Sequence, residues 1–455
     1  MHYIKDLSNI DIIIEKIRHF SGEAIFWNDK FVSYPQFCSL INKWIDVFKK
    51  EGIRERNICA YYGDYSPRSC ALAFALMQNK NILVPFTASG EKEIAEYNEI
   101  AGIDWLIKFD SEDNFSIERV SSDLQNNDLI LKFYELDVSG LIVFTSGSTG
   151  KPKGILQNCD RVLKKFIESK RSFSTVLFLM MDHFGGFNTM LSVFAGGGLA
   201  ICLPNRKTET VCRVIERSKA ELLPTTPTFL NLLLNSGDYN KFDLSSLKLV
   251  TYGTELIAPA TLKNILGIFP DCRIKQTYGL SELGVLHSQS ENDGSDWVKV
   301  GGKGFETRII DNILWIRSEA GMVGYLNAPN PMEADGWMST GDMVETKGEY
   351  IRFLGRKSDI INVGGQKVFP AEVESVLMED ENVLDATVLG QPNQIMGNMV
   401  VARLLLKQNE EKMQLIERLR KLCLLKLAKF KVPVKFVVTD EPQYNARYKK
   451  IRKDI

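Results

Sequence analysis

The sequence predicts an α/β fold: a large N-terminal domain of layered sheets and helices with a β-rich subdomain, then a small α+β C-terminal domain. The chain has 455 residues, 44% of them hydrophobic, so it can bury a large core and is too long for one simple domain. Short apolar runs alternate with helical periodicity, which is typical of buried, largely parallel sheets. After residue 297 the runs shorten and turns become frequent, which indicates the β-rich subdomain.

These patterns predict the elements in order. Residues 1–20 lack the basic stretch and apolar run of a signal peptide and predict an amphipathic helix. The longest apolar stretch, residues 176–203, carries Asp182, His183 and a glycine triplet, so it predicts a buried helix and strand and no membrane span. Predicted strands cover residues 58–62, 81–85, 140–144, 199–203 and 248–252. Predicted helices cover residues 34–51, 67–79, 160–169 and 212–218.

A polar segment, RKSD at residues 356–359, lies between two apolar segments and predicts the domain boundary. It divides the chain into an N-terminal domain, residues 1–355, and a C-terminal domain, residues 356–455. Within the second, the pattern predicts a strand, a turn, a helix, a strand, a long charged helix over residues 410–427 and a final strand.

Charge and cysteine usage exclude several classes of protein. The 56 basic and 57 acidic residues give a net charge of −1, which argues against nucleic acid as the main partner. The eight cysteines form no CxxC pair and no Cys/His cluster, so neither a structural zinc site nor a disulfide framework is indicated. A reducing, cytoplasmic setting is the simplest expectation.

One segment predicts phosphate binding. In LIVFTSGSTGKPKG an apolar run leads into small residues whose backbone N–H groups and hydroxyls can contact phosphates, and Lys151 and Lys153 can offset negative charge. It is not the common NTPase P-loop, because Thr145 stands where that motif has glycine and Pro152 follows the lysine. A plain linker remains the alternative for a loop of this composition.

The string TSGSTGKPKG resembles the signature of the adenylate-forming superfamily, which includes acyl-CoA synthetases, peptide-synthetase adenylation domains and beetle luciferases. The resemblance covers nearly the whole chain, with further motifs in the family's order, and is closest in character to acyl- or aryl-CoA ligases. It implies ATP, Mg²⁺ and coenzyme A as ligands, and a mobile C-terminal domain. In the loop it implies that ATP is bound by Thr145, Ser146, Gly147, Ser148, Thr149 and Lys153.

Two motifs resemble the family's adenine and magnesium segments. YGTEL, residues 252–256, implies that Gly253, Thr254 and Glu255 line the base, although a strand-end turn is the alternative. TYGLSE, residues 277–282, resembles the family's TYG-x-T-E. The resemblance implies an adenine contact for Tyr278, an α-phosphate contact for Ser281, a magnesium ligand in Glu282, and further ATP contacts from Thr277 and Gly279.

Two later motifs imply contacts with ribose and a hinge. GWMSTGD resembles G-W-x-x-T-G-D, in which the aspartate, here Asp342, accepts the ribose hydroxyls. GRKSDIINVGGQKVFPAEVE resembles the start of the family's C-terminal domain. It implies that Arg356 reaches ribose or phosphate, that Ser358 is the hinge, and that Gly364 and Gly365 form a turn used in the second half-reaction.

The tail DEPQYNARYKKIRKDI departs most from the family, which ends P-x-T-x-x-G-K-I-x-R. The threonine and glycine are missing and the spacing is stretched. Lys450, followed by Ile451, is the predicted catalytic lysine, with Lys449 and then Arg447 as alternatives. A solvated basic tail is the alternative without a catalytic role.

His183, in MMDHFGGFNTML, is either a core histidine or a residue of the acid site. Its resemblance to F-H-x-G-G strings implies that His183, Phe184 and Gly185 contact the substrate carboxylic acid, and that the glycine pair opens space for a ring or chain. Peptide-synthetase domains have an aspartate just after this histidine position, for the α-amino group. Phe184 stands there instead, and Asp182 is out of register, which favours an acid without an α-amino group.

The predicted activity is ATP-dependent activation of a carboxylic acid to an acyl-adenylate with release of pyrophosphate, then transfer to a thiol. The acceptor is coenzyme A or the phosphopantetheine of an acyl carrier protein. Two alternatives remain: amino-acid adenylation with loading of a carrier protein, and a nucleotide-binding protein with degenerate chemistry. The irregular tail favours the second alternative, whereas intact Glu282, Asp342 and Arg356 argue against it.

Overall fold

The computed structural model describes residues 7–87, 94–120, 127–146, 151–170, 172–292 and 294–452. Within these residues the helices are α1 (Asn9–Arg18), α2 (Tyr34–Glu51), α3 (Pro67–Gln78), α4 (Ile94–Ala101), α5 (Asp128–Tyr134), α6 (Cys159–Lys164), α7 (Phe184–Ala195), α8 (Thr208–Ser218), α9 (Pro227–Ser236), α10 (Pro259–Ile268), α11 (Pro370–Leu377) and α12 (Lys412–Lys426).

The strands fall into three successive groups along the chain. The first group is β1 (Glu23–Trp27), β2 (Lys30–Ser33), β3 (Ile58–Tyr62), β4 (Ile82–Phe86), β5 (Trp105–Phe109), β6 (Phe115–Arg119), β7 (Gly140–Ser146), β8 (Pro152–Asn158), β9 (Thr175–Val176), β10 (Ala200–Ile201), β11 (Leu222–Thr225), β12 (Leu249–Tyr252) and β13 (Arg273–Gln276). The second is β14 (Tyr278–Leu280), β15 (Gly284–Ser290), β16 (Val298–Gly301), β17 (Phe305–Ile310), β18 (Ile313–Ser318), β19 (Gly324–Tyr325), β20 (Trp337–Lys347) and β21 (Tyr350–Arg356). The third is β22 (Ile361–Val363), β23 (Gln366–Val368), β24 (Val383–Asn393), β25 (Gly397–Leu406) and β26 (Lys435–Val438).

The described residues of the N-terminal region form three seven-stranded sheets. Sheet I, in the order β13-β12-β11-β9-β10-β1-β2, is parallel except for its last pair. Sheet II, β19-β8-β7-β4-β3-β5-β6, is parallel at its centre and antiparallel at both edges. Sheet III, β14-β15-β16-β21-β20-β18-β17, is antiparallel and forms the β-rich subdomain.

Local sequence explains why the buried helices form where they do. Helix α2 begins with a capping box between Ser33 and Gln36 and ends at Gly52, whose φ of 82° suits glycine. Helix α3 has a second capping box at Ser66, and apart from Arg68 and Gln78 its residues are buried. One core cluster joins these helices with α1, α7 and strands of sheets I and II. The predicted α/β architecture is confirmed.

A fourth sheet follows β21 and forms the C-terminal region, residues 357–452. Its order is β23-β22-β25-β24, with β26 parallel to β25, and α11 and α12 pack against it around a separate core cluster. The chain enters it through a single 3-10 turn, Lys357–Asp359. The sequence pattern expected one strand between α11 and the long helix. The structure instead has the β24–β25 hairpin, because Gly397, with φ of 75°, lets the chain reverse.

The stretch 176–203 forms β9, α7 and β10 in the core. No helix in the described ranges is both long and apolar enough to cross a bilayer. The predicted helix over residues 160–169 is shorter than expected, since α6 ends at Lys164.

Candidate active site

A cleft of about 1240 Å³ lies between sheet I, sheet III and the C-terminal region. The N-terminal and C-terminal regions both contribute side chains to its walls, so relative movement of these two regions would change the shape of the cleft. Eight of the site residues predicted from sequence line it: Thr254, Glu255, Thr277, Tyr278, Gly279, Asp342, Arg356 and Lys450.

The predicted phosphate loop connects two strands of a hairpin. β7 pairs antiparallel with β8, so that Thr145 lies opposite Lys153 and Ser146 opposite Pro152. Gly147, Ser148 and Thr149 lie outside the described residues. The NTPase P-loop instead leads from a strand into a helix, so this loop differs from it in topology as well as in sequence.

Glu282 lies close to the end of this hairpin. Tyr325 of β19 donates a hydrogen bond from its hydroxyl to Glu282 Oε1 at 2.7 Å, and the Lys153 ammonium lies 5.1 Å from the centre of the Tyr325 ring. β19 reaches this position because it pairs with β8 in sheet II. No sequence motif assigned Tyr325 a role.

The donors around Glu282 fit Mg²⁺ delivered with a nucleotide. The described residues include no group of three or more His, Cys, Asp or Glu side chains that could hold a metal by themselves. Mg²⁺ needs only one or two carboxylates when phosphates and water supply its other ligands. Glu282, with one oxygen bonded to Tyr325, can be that carboxylate.

The adenine-side residues form a tight turn after β12. Gly253 permits it, since a Cβ there would lie 2.6 Å from Thr277 Oγ1. Thr254 has a φ of 71°, in the left-handed region that residues other than glycine rarely adopt. Strained backbone of this kind concentrates at functional sites. The Glu255 carboxylate accepts hydrogen bonds from Thr228 Oγ1 at 2.6 Å and from the backbone N–H of Lys450 at 2.5 Å.

Tyr278, Asp342 and Arg356 form one cluster. The Tyr278 hydroxyl donates to Asp342 Oδ2 at 2.6 Å, and Arg356 Nε lies 3.4 Å from Asp342 Oδ1. Burial raises the pKa of Asp342 above its ordinary value, although Arg356 and the Tyr278 hydroxyl oppose that effect. The Tyr278 ring stacks on Phe353, with 4.6 Å between ring centres. Phe353 was missed by the sequence analysis, because a lone aromatic in a strand carries no signal of a ligand site.

His183 is the N-cap residue of α7. Its Nδ1 accepts a hydrogen bond from the backbone N–H of Gly185 at 3.2 Å. A Cβ at Gly186 would lie 2.1 Å from the carbonyl oxygen of Met180, so this glycine lets the helix start pack on backbone. The expectation that Gly186 opens space for substrate is therefore wrong. Phe184 is 2% exposed and packs in the core cluster of α7.

The tail brings Lys449, not Lys450, to the histidine. Lys449 Nζ lies 3.0 Å from His183 Nε2. Lys450 Nζ points into the C-terminal region, where it lies 3.1 Å from Asp385 Oδ1 and 3.5 Å from Glu374 Oε2 and donates to a backbone carbonyl. Against the effect of burial, these two carboxylates raise the pKa of Lys450.

Burial and neighbouring cations perturb the Lys449–His183 pair. Burial, reinforced by Arg447, lowers the pKa of Lys449 to about 8. Burial also holds the pKa of His183 well below its ordinary value, with Lys449 and Arg447 adding to the effect. Arg447 itself pairs with the buried Asp182 carboxylate at 3.1 Å, and Thr87 donates to the same oxygen at 2.8 Å.

The remaining predicted residues lie outside the clusters around Glu282, Asp342 and His183. The Ser281 carbonyl accepts a hydrogen bond from Gln157. Ser358 is exposed on the 3-10 turn and donates to Asp359 at 2.9 Å. Gly364 and Gly365, with φ of 56° and 82°, form the turn between β22 and β23. The hinge role of Ser358 stays a prediction.

Comparison with known proteins identifies the family. The family model for AMP-binding enzymes matches residues 16–326, and the model for their C-terminal domain matches residues 372–446. An indoleacetate–CoA ligase of Aromatoleum aromaticum is 25% identical, over 95% of this chain and 94% of that protein. A 2-succinylbenzoate–CoA ligase of Listeria monocytogenes is 26% identical over 92% of each chain.

Solved structures share the fold. An anthranilate CoA ligase in complex with anthranoyl-AMP has a TM-score of 0.82 at 19% identity, covering 98% of this chain and 95% of that one. The o-succinylbenzoate CoA synthetase of Bacillus subtilis, in complex with its acyl-adenylate intermediate, has a TM-score of 0.74 at 19% identity, covering 98% and 97%. The chain therefore belongs to the family of AMP-binding enzymes, and it is an AMP-forming ligase that activates a carboxylic acid with ATP and transfers it to a thiol.

Proposed function

We propose that the carboxylic acid binds between His183 and Lys449, that it carries no α-amino group, and that the acceptor thiol is coenzyme A. The observation that carries the proposal is the 3.0 Å contact between Lys449 Nζ and His183 Nε2. In this proposal Lys449 takes the catalytic role for which the sequence pattern favoured Lys450.

The hydrogen bonds around His183 support a carboxylate at this position. Because Nδ1 accepts from the backbone N–H of Gly185, the neutral ring carries its proton on Nε2. Nε2–H and a Lys449 ammonium are then two donors that face each other, and the described residues place no acceptor between them. A carboxylate oxygen supplies that acceptor, and charge-assisted hydrogen bonds of this kind are the strong ones.

The charges near His183 argue against an amino acid as substrate. Arg447 and Lys449 place two cationic side chains beside the site, and both would repel an α-ammonium group. Asp182 is the buried carboxylate nearby; its Oδ2 accepts from Arg447 and Thr87, and the Arg447 cation already offsets its charge. An acyl or aryl acid without a positive charge meets neither obstacle.

The nucleotide is proposed to occupy the cleft between the regions. Tyr278 and the turn at Gly253 to Glu255 would hold adenine, and Asp342 with Arg356 would hold ribose. The hairpin loop and Lys153 would hold the phosphates, and Glu282 would hold Mg²⁺. Bound there, Mg²⁺ offsets phosphate charge.

Two half-reactions follow from this arrangement. A carboxylate oxygen held by His183 and Lys449 attacks the α-phosphorus of ATP, a P–O bond forms, and pyrophosphate leaves with its bonding electrons. Lys449 stabilises the negative charge as it develops, so the protein supplies mainly positioning and electrostatics. The coenzyme A thiol, as thiolate, then attacks the acyl carbon, and AMP leaves. Rotation of the C-terminal region at Ser358 between the two steps would exchange Lys449 for the turn at Gly364 and Gly365.

A substrate panel tests the proposal. ATP, Mg²⁺ and single carboxylic acids, including indoleacetate, 2-succinylbenzoate and anthranilate, are assayed for pyrophosphate release with and without coenzyme A. Acids of this type should release pyrophosphate and yield a coenzyme A thioester, whereas α-amino acids should not. Pyrophosphate release with amino acids alone, or transfer only to a phosphopantetheine carrier protein, would contradict it.

A further inference from the structure

The tail has a tyrosine where the family pattern P-x-T-x-x-G-K-I-x-R has glycine. With Lys449 as the lysine of T-x-x-G-K, Asn445 stands at the threonine position and Tyr448 at the glycine position. Tyr448 has a φ of 54°, a left-handed conformation that favours glycine. Asn445 Oδ1 accepts hydrogen bonds from the backbone N–H groups of Arg447 and Lys449, at 2.9 and 3.1 Å. The backbone thus makes a glycine-like turn, and a large side chain is added to it.

The Tyr448 side chain reaches the N-terminal region. Its ring centre lies 5.6 Å from that of Phe178 and 5.8 Å from that of Phe229, and its hydroxyl donates to the backbone carbonyl of Arg206 at 2.7 Å. In addition, Thr226 Oγ1 donates to the Tyr448 carbonyl at 3.0 Å. A glycine could make only the last of these contacts.

The next two residues complete the arrangement. Lys450 is held in the C-terminal region by Asp385 and Glu374. Lys449 therefore lies between one neighbour attached to the N-terminal region and one attached to the C-terminal region. Because the three residues are consecutive, the attachments on both sides restrict where the Lys449 amine can lie.

We propose that Tyr448 is a positioning residue for adenylate formation: docking of its ring against Phe178 and Phe229 sets Lys449 at His183. The ring must leave this position before the second half-reaction, since the C-terminal region cannot rotate while Tyr448 is docked. The inference rests on the proposed role of Lys449. Tyr448 is assigned no contact with the reacting atoms and acts through its neighbour.

The test separates the two half-reactions in Tyr448→Gly. This variant removes the ring and relieves the positive φ, so loss of the fold is not the expected cause of any defect. ATP–pyrophosphate exchange, measured with the most active acid of the panel, should fall at least about tenfold in kcat, with little change in the KM for ATP. Consumption of preformed acyl-adenylate by coenzyme A should be unchanged or faster.

Matched variants and a second readout control the interpretation. Tyr448→Phe, which loses only the hydroxyl bond, should show a smaller defect, and Tyr444→Phe should show none. Trypsin cleavage after Arg356 and Lys357, measured without ligands, should be faster in Tyr448→Gly because the regions separate more easily. Unchanged exchange and cleavage, or equal loss of both half-reactions, would overturn the inference.

Lys449→Ala in the same exchange assay separates a failure of the proposed function from a failure of the inference about Tyr448. If Lys449→Ala retains full exchange, the proposed function fails at its lysine. If Lys449→Ala loses exchange while Tyr448→Gly keeps it, only the inference about Tyr448 fails.

Discussion

Two adjacent lysines in the tail have opposite surroundings. Lys449 lies beside a neutral histidine and a cationic arginine, whereas Lys450 lies between two carboxylates. An ammonium among carboxylates has its counter-charge already, and an ammonium beside other donors does not. The difference supports separate proposed tasks for the two lysines: Lys449 contacts the substrate, and Lys450 stabilises the C-terminal region.

Replacing each lysine tests this division. Lys449→Ala should lower the rate of adenylate formation by about a hundredfold or more, since it removes a charge aimed at the reacting oxygens. It should spare the attack of coenzyme A on a preformed adenylate. Lys450→Ala should lower stability more than adenylation, because it leaves the buried Asp385 without its cation and leaves Glu374 with Arg452 alone. Full adenylation by Lys449→Ala, with none by Lys450→Ala, would reverse the assignment.

The pKa of Lys449 predicts a pH dependence. Because burial lowers this pKa to about 8, the amine is charged below that pH and neutral above it. If the charged form binds the carboxylate, kcat/KM for the acid should fall as pH rises through about 8. In Lys449→Arg the cation persists, so any remaining activity should not show this fall. A flat profile of the native enzyme between about pH 7 and 9.5 would contradict the prediction.

His183 has a structural task and a proposed binding task that substitution can separate. Asparagine can replace the helix cap but not the Nε2–H donor, whereas alanine replaces neither. Both variants should raise the KM for the acid. In denaturant titrations, His183→Ala should lower the free energy of unfolding by about 1 kcal/mol relative to His183→Asn. Equal stability of the two variants would show that the cap contributes nothing.

At the scale of elements, the start of α7 decides where His183 lies. Gly186 faces the backbone carbonyls of Met180 and Leu179, at 2.1 and 2.5 Å from a Cβ built on it. The close approach turns the chain sharply, so that the residue before the helix is directed toward the tail loop. The sequence shows two adjacent glycines, but it does not show that the backbone carbonyls of Met180 and Leu179 lie too close to Gly186 for any side chain.

Gly186→Ala should therefore destabilise the protein. Its methyl group would overlap a backbone carbonyl, and such overpacking typically lowers the free energy of unfolding by about 1–3 kcal/mol. Gly267→Ala is the matched control, because Gly267 is helical and a Cβ there meets nothing within 4 Å. The control should gain about 0.5 kcal/mol. Urea unfolding of both variants measures the difference, and equal effects would refute the packing argument.

Local motifs predicted the elements of the site better than they predicted its contacts. Strand Ile58–Tyr62 and helix Tyr34–Glu51 match their predicted bounds, because hydrophobic periodicity and helix-capping residues are features of the local sequence. The contacts of Tyr325 and Phe353 depend on strand pairing between distant segments, which no local pattern encodes. The choice between Lys449 and Lys450 was ambiguous because Tyr448 occupies a left-handed turn position at which the family pattern has glycine.

At the scale of the whole molecule, the N-terminal and C-terminal regions meet across the cleft. Asn231 and Asn235 of α9 donate to the Leu384 carbonyl, and the Lys450 N–H donates to Glu255. Together with the aromatic packing of Tyr448, these polar contacts are among the described interactions that the proposed rotation of the C-terminal region would break. The connection at Lys357–Asp359 is a single exposed turn with little packing to resist cleavage.

A ligand that bridges the regions should protect this turn. A non-reactive acyl-adenylate analogue at about a hundred times its Kd should slow trypsin cleavage after Arg356 and Lys357 up to about a hundredfold, if cleavage requires opening of the cleft. Mass spectrometry of the fragments measures the rate. Cleavage at exposed lysines of α12, such as Lys421, should change little. Equal protection at both places would indicate general stabilisation of the fold rather than closure.

The hairpin between β7 and β8 has one further consequence. Since the residues that follow the loop form a strand, no aligned helix dipole there offsets the charge of the triphosphate. In the proposed mechanism the balancing cations come from separate parts of the chain: Lys153, Arg356 and Lys449. In that mechanism the bound triphosphate would attract cations of both regions and so favour the closed cleft. Departure of pyrophosphate would remove much of this attraction, so that the first chemical step would itself favour opening before the second.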